Sequence, residues 1–528
     1  MAFNTPVFIL FFVVVLLLYA LMPKRYKWIW LLAASWFFYL YASAKFFIFV
    51  LLTGASAWAG ALYMQKLHDR ERQLRSCAVR QEDLKQLRER LQRRRKRMLI
   101  SVLVLNFGIL AVLKYLGFFC ENLNQLLASF SLEARIPGFH LILPLGISFY
   151  TFQTMSYVID VYWRKTQAER NPFKVSLFVS FFPQIIEGPI GRWNDLAAQL
   201  SAERACSALD VRRGLQLMLW GYFKKMVIAD RAAIVADFVF SHYLDLSGFG
   251  IAAGVFLYAI QDYADFSGCI DIARGCAKTM GIDMAENFRR PYFSRTIPEF
   301  WRRWHMSLGA WMKDYVFYPF SLAKGVRRIG KTARKRWGRH LGSTLPIALG
   351  NLLVFFLVGL WHGASWNYIV WGLFYGILIA LSALLKPLFD KLRTWLHIPA
   401  HSRAFMLFQI LRTFTITCAG CVIFRAATLG DAAGIFTGLF RGAFFSEAWK
   451  SELLSLGLDK WNWAAMLGSL LILLIVDLMQ EKLSVREWLD RRSAPLRWSV
   501  CAIGCLLLIM LAVYGPGTSP VQFVYMQY

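Results

Sequence analysis

The chain has 528 residues, of which 57% are hydrophobic and 17% charged, and its mean hydropathy is +0.44. Soluble domains carry about 45–50% apolar residues, so this composition excludes an ordinary soluble protein and points to repeated membrane crossings. The net charge of +28 would suit nucleic acid in a soluble chain. Here the basic residues lie between apolar runs, where they set orientation and touch anionic headgroups. No nucleic-acid motif accompanies them, so no nucleic-acid partner is expected.

Apolar runs recur at 7–22, 28–41, 46–63, 99–119, 141–161, 175–190, 214–228, 251–263, 343–361, 368–385, 405–424, 463–479 and 499–513. About 20 residues make one helical crossing, and helices satisfy every backbone polar group in hydrocarbon. The expectation is an all-α, polytopic integral membrane protein with roughly 10–13 membrane helices, some of them short enough to be re-entrant. It is read as one integrated domain, 1–528, in the cytoplasmic membrane. The first run lacks a preceding basic stretch and a small-residue cleavage site, so it is expected to stay as a first helix.

Residues 66–97 hold thirteen Lys/Arg against five acids. The surrounding segment, 65–98, is expected to form a cytoplasmic helical hairpin or long helix. Residues 324–339 hold eight Lys/Arg and no acid, and belong on the same side. Counting spans from these clusters puts the basic segments 386–403 and 482–497 in the cytoplasm too. The N-terminus, 425–461 and the tail 515–528 then fall outside.

Along the chain, Pro183, Glu187, Gly188, Pro189 and Gly191 interrupt an apolar run. This is either a broken helix buried in protein or a loop at the membrane edge. Asp262, Asp265 and Asp271 follow at the end of another run. They either orient a histidine or, the favoured reading, form structural ion pairs with Arg289, Arg290, Arg302 or Arg303. Pro298 and Glu299 mark a helix start. On that helix Trp301, His305, Leu308, Met312 and Tyr315 share one stripe at helical spacing. His362 closes a later apolar run, in Trp361-His362-Gly363, where glycine permits a helix end and close approach. Each histidine alone suits a structural role. Together, two titratable rings at or near membrane depth point to proton transfer. The odd cysteine count and the isolated Cys418–Cys421 pair read as packing, with no metal site.

Four blocks, 181–193, 265–271, 286–318 and 360–371, carry a resemblance to the membrane-bound O-acyltransferase family in its bacterial branch. That branch serves alginate O-acetylation, the acetylation of other cell-surface polysaccharides and, in close cousins, D-alanyl transfer to teichoic acid. The likeness spans roughly 141–379. It implies a funnel of many helices, with His362 as the signature histidine and His305 as the second catalytic one. It also implies transfer from a cytoplasmic thioester, acetyl-CoA or an acyl carrier, to an outer polysaccharide, with an extracytoplasmic acetyltransferase as a partner. No cofactor stays bound. Trp301, Trp304, Arg302, Arg303, Asp265 and Asn351 are the candidate substrate contacts, Arg302 and Arg303 for donor phosphates. Asn351, Trp304 or backbone amides are candidates for the oxyanion. In the aromatic tail Tyr525 is a candidate acyl relay, or the tail anchors at the interface. The rival readings are D-alanyl transfer and a transporter or export component without covalent chemistry.

Overall fold

The computed structural model describes residues 1–76, 81–132, 135–139, 141–399, 402–442 and 449–514. All regular elements among them are helical. The chain falls into two compact units. The first comprises Met1–Leu215 with Ala273–Ala285, the second Gln216–Ile272 with Glu286–Tyr528.

The first unit opens with α1 (Pro6–Leu21). Its N-cap Thr5 accepts a hydrogen bond from Phe8 N, and Pro6 sits where an N–H has no helical partner. Next come α2 (Lys27–Ser43), α3 (Phe47–Ser76) and α4 (Gln81–Ser129). The last two form the expected hairpin, tied across by Arg95 and Glu71 at 2.6 Å. Then α5 (Ile147–Tyr162) is buried from Ile147 to Val161. Its cap, Gly146, has φ 67°, and a Cβ there would collide with the Ile185 carbonyl, so no other residue fits.

The proline- and glycine-broken run lies inside this unit. After α6 (Pro172–Ser180) the chain makes one short helix, Phe182–Ile185, and residues 177–190 are buried. Gln184 holds the break by donating to the Pro189 carbonyl (2.8 Å) and to the Gln153 side chain. Glu187 is 1% exposed. A loop at a membrane edge would leave that carboxylate to water, so the buried broken helix is the correct reading of this segment.

The chain passes into the second unit along α7 (Ala208–Tyr222), a π-helical stretch at Phe223–Ala229 and α8 (Asp230–His242). It returns briefly at the end of α9 (Gly248–Thr279). Two short helices, α10 (Ile297–Arg303) and α11 (Met306–Met312), follow. The long helices are α12 (Lys324–His362), kinked at Gly338, α13 (Trp366–Leu384), α14 (Arg403–Arg425), α15 (Lys460–Gln480) and α16 (Ala494–Leu511).

Among the described residues, 7 stretches of helix are long and apolar enough to cross a membrane, and Pro6–Leu21 is a shorter apolar helix. Several other expected spans are helices of sub-membrane length that protein covers instead, such as α5 and α6. Side chains such as Leu21, Ile509 and Met510 stay more than half exposed. That is costly in water but not in lipid. The chain is a multi-pass membrane protein.

Candidate active site

The site lies in the second unit and starts with a broken helix. Thr296 caps α10 by accepting from Glu299 N at 3.2 Å, which is the start that Pro298 and Glu299 predict. The helix then stops at Arg303. Trp304 is extended, and His305 is left-handed at φ 44°, ψ 51°, directly before α11. The single stripe from Trp301 to Tyr315 therefore does not exist, because it needs a continuous helix. The break is held by a segment 18 residues earlier. Arg289 N donates to the Arg303 carbonyl and Met306 N to the Asn287 carbonyl, both at 2.9 Å.

Asn287 is fully buried, and its side chain determines the state of His305. Its Oδ1 accepts from Ser307 N and Ser307 Oγ, each at 2.9 Å. An oxygen that faces a backbone N–H is fixed as an acceptor. His305 Nδ1 lies 3.2 Å from the same oxygen, so Nδ1 carries the proton and Nε2 carries the lone pair. Burial pushes the His305 pKa down to about 3, and the ring is neutral at pH 7.

His362 ends α12, as its sequence position predicts, and Gly363 follows in extended conformation. The glycine here serves space: a Cβ would run into the Tyr368 ring. The imidazole meets Trp371 at 4.9 Å, Trp361 at 5.0 Å and Phe424 at 5.1 Å between ring centroids. Trp361 also faces His305, at 5.8 Å, and Phe266 closes the other side of His305 at 4.9 Å. The two imidazoles thus flank one indole, 3% and 5% exposed. Trp371 and Phe424 also line a cavity of about 20 Å³ with Asp262 and Trp301. Asp262 Oδ1 and Trp301 Nε1 have no hydrogen-bond partner among the described residues. The last turns of α12 reach this position because α13 packs tightly on it. A Cβ on Gly372 would lie 3.1 Å from the Gly359 Cα, so the two helices meet backbone to backbone.

The other predicted residues divide. Trp301 packs on Tyr375, Phe355 and Trp371 at 4.9, 5.1 and 5.5 Å. Trp304 is buried among Phe288, Phe300 and Tyr292. Asn351 lies 11 residues before His362 on the same helix, about 16 Å along its axis. Arg302 is exposed. Arg303 binds Glu299 and Glu481, at 2.9 and 2.8 Å. Tyr525 and the rest of the tail fall outside the described residues.

Of the three aspartates, Asp265 and Asp271 do form ion pairs, but with other partners than the arginines, and Asp262 forms none among the described residues. Asp265 binds Lys225 at 2.5 Å, Asp230 binds the same ammonium at 2.9 Å, and Asp271 binds Lys224 at 2.8 Å. Arg290 goes to Glu481 and Arg289 to Glu286. Sequence reasoning missed both lysines. The signal was present: two adjacent cations inside the apolar run 214–228 need buried counterions, and the nearest apolar run, 251–263, ends in three acids.

Known proteins resemble the chain over most of its length. Residues 168–333 match the model of MBOAT, the membrane-bound O-acyltransferase family. The chain is 33% identical over 442 residues to a probable alginate O-acetylase of Pseudomonas aeruginosa, covering 83% of this chain and 75% of that protein. It is 31% identical over 470 residues to a peptidoglycan O-acetyltransferase of Helicobacter pylori, covering 83% and 79%. A teichoic acid D-alanyltransferase of Bacillus subtilis is 28% identical over 301 residues, covering 54% and 70%. These relatives are enzymes, which sets the transporter reading aside. With two buried imidazoles at one aromatic centre and likeness over most of its length, the chain belongs to the membrane-bound O-acyltransferase family and is an O-acyltransferase.

Proposed function

We propose that this enzyme moves an acetyl group from a cytoplasmic thioester to a hydroxyl of a cell-surface polysaccharide, with His362 as general base. The observation that carries the reading is the pair of buried imidazoles on either side of Trp361. His362 takes the hydroxyl proton as the oxygen attacks the thioester carbonyl. The C–S bond breaks, an ester remains, and the thiolate leaves with the proton from the imidazolium. His305, neutral and presenting Nε2, serves as the second acceptor at the same centre. The relatives named as O-acetylating enzymes match 83% of the chain, against 54% for the D-alanyltransferase, which favours acetyl over D-alanyl. The donor is acetyl-CoA or an acyl carrier. An extracytoplasmic acetyltransferase is a partner for final delivery, with Tyr525 in the tail as a relay.

Membranes containing the protein are supplied with radiolabelled acetyl thioester and polysaccharide acceptor, and ester formation is measured. His362→Ala is expected to lose roughly 10²–10⁴-fold in rate. Full transfer by His362→Ala at wild-type protein levels would remove His362 from the mechanism.

A further inference from the structure

The first unit holds a second polar centre, remote in sequence from both histidines. Glu71 of α3 is 6% exposed at its side chain and receives Arg164 at 2.5 Å, Arg95 at 2.6 Å and Arg88 at 3.4 Å. Arg95 and Arg164 also point at His68 Nδ1, at 2.9 and 2.8 Å. Guanidinium groups only donate, so His68 is an acceptor there and adds no charge. Arg72, exposed, brings a fourth cation. Gln65, His68, Glu71, Arg72, Arg164 and Thr166 line a recess of about 210 Å³. Arg72 and Arg164 thus line the concave surface itself, with Arg88 and Arg95 behind it on Glu71, and gathered charge of one sign calls for a counterion. The backbone is committed to this geometry, since Arg164 takes a left-handed φ of 63°. Such strain in a non-glycine residue persists only where its surroundings impose it.

The position of the recess selects the ligand. The apolar run in α3 ends at Tyr63, and Gln65, His68 and Arg72 come 2, 5 and 9 residues later. At 1.5 Å per residue this is about 3–14 Å beyond the hydrocarbon edge, the depth of the headgroup layer and its rim. Sites that enclose whole organic ligands run to roughly 300–1,000 Å³, so this smaller recess fits a phosphate group and not a nucleotide-bearing donor. Basic pockets between membrane helices bind anionic headgroups on these grounds. We infer that the recess between α3 and the turn after α5 is a binding site for a phosphate anion, carried by an anionic phospholipid headgroup or by a small soluble phosphate. The inference does not depend on the proposed acetyl transfer.

The test uses the full-length protein in neutral detergent. Short-chain phosphatidylglycerol, short-chain phosphatidylcholine and inorganic phosphate are titrated separately, and binding is read as the rise in unfolding midpoint. Phosphatidylglycerol is expected to give a saturable rise that phosphatidylcholine does not. Arg72→Gln should weaken it about fivefold and Arg72→Glu roughly 25-fold, at about fivefold per basic residue near a membrane surface. Arg93→Glu makes the same charge change at a side chain 72% exposed and outside the recess, and should leave binding unchanged. A saturable, Arg72-dependent response to inorganic phosphate supports the site and assigns it to a soluble anion. Equal response to the two lipids, equal loss in Arg72→Glu and Arg93→Glu, or no saturable response to any probe overturns the inference.

Discussion

Removing the Asn287 carboxamide should disable His305 without touching it. The Asn287 oxygen serves Ser307 N, Ser307 Oγ and His305 Nδ1. In Asn287→Ala the serine hydroxyl can rotate to another acceptor, but the Ser307 amide and the imidazole N–H cannot. Two buried donors left unsatisfied cost about 1–3 kcal/mol each, so the variant should lose roughly 2–6 kcal/mol locally. That loss falls on the left-handed turn that aims the ring. Asn287→Asp keeps an acceptor of the same shape and should hold the turn, but a carboxylate beside the ring favours the imidazolium. The assays are acetyl transfer in membranes across pH 5–9 and the unfolding midpoint in detergent. Asn287→Ala should lower both activity and midpoint. Asn287→Asp should keep the midpoint close to wild type and move the acid limb of the rate profile to higher pH. Wild-type rate and midpoint in Asn287→Ala, or an Asp variant no better than Ala, would refute the assignment of tautomer and turn to this side chain.

Lys225→Met should destabilise by about 3–5 kcal/mol, because it strands Asp265 and Asp230 without their shared cation. Asp265→Asn should cost much less, since Asp230 stays 2.9 Å from the ammonium; unfolding midpoints of the two variants give the order. Gly372→Leu should force α12 and α13 apart and cut the yield of monodisperse protein, and Gly372→Ala should lose about 1–3 kcal/mol, read by size-exclusion profile and midpoint. A histidine whose folded pKa lies below its unfolded value contributes stability that is complete above the unfolded value and fades as pH falls toward the folded one. For His305, between about 6.5 and about 3, the loss from pH 7 to pH 5 is of order 2 kcal/mol. His305→Gln should flatten that part of the midpoint-against-pH curve.

Much of this was legible in the sequence. Apolar run length marked the long helices, the charge blocks marked the α3–α4 hairpin, and Trp361-His362-Gly363 marked a helix end. The break at His305 was hidden, since Trp301, His305 and Leu308 keep helical spacing across it. What breaks the helix is Asn287, 18 residues earlier, through backbone contacts that leave no periodic trace. The aspartate partners were hidden for a related reason. Spacing along α9 shows where acids fall on their own helix, but not that the π-helical stretch at Phe223–Ala229 brings Lys224 and Lys225 to them. Asn351 shows the opposite case: it is close to His362 in number, but the helix carries it three turns away.

The two histidines are anchored unequally. His305 is stitched on both sides to the 287–289 segment, so shifting its ring means unfastening a small sheet-like clasp. His362 occupies the final residue of its helix, where the last carbonyls have no amide a turn ahead. Widening the aromatic enclosure is therefore cheapest at the Gly363 end. Admission of substrate should show there as faster amide exchange in 360–366, while 303–307 stays protected.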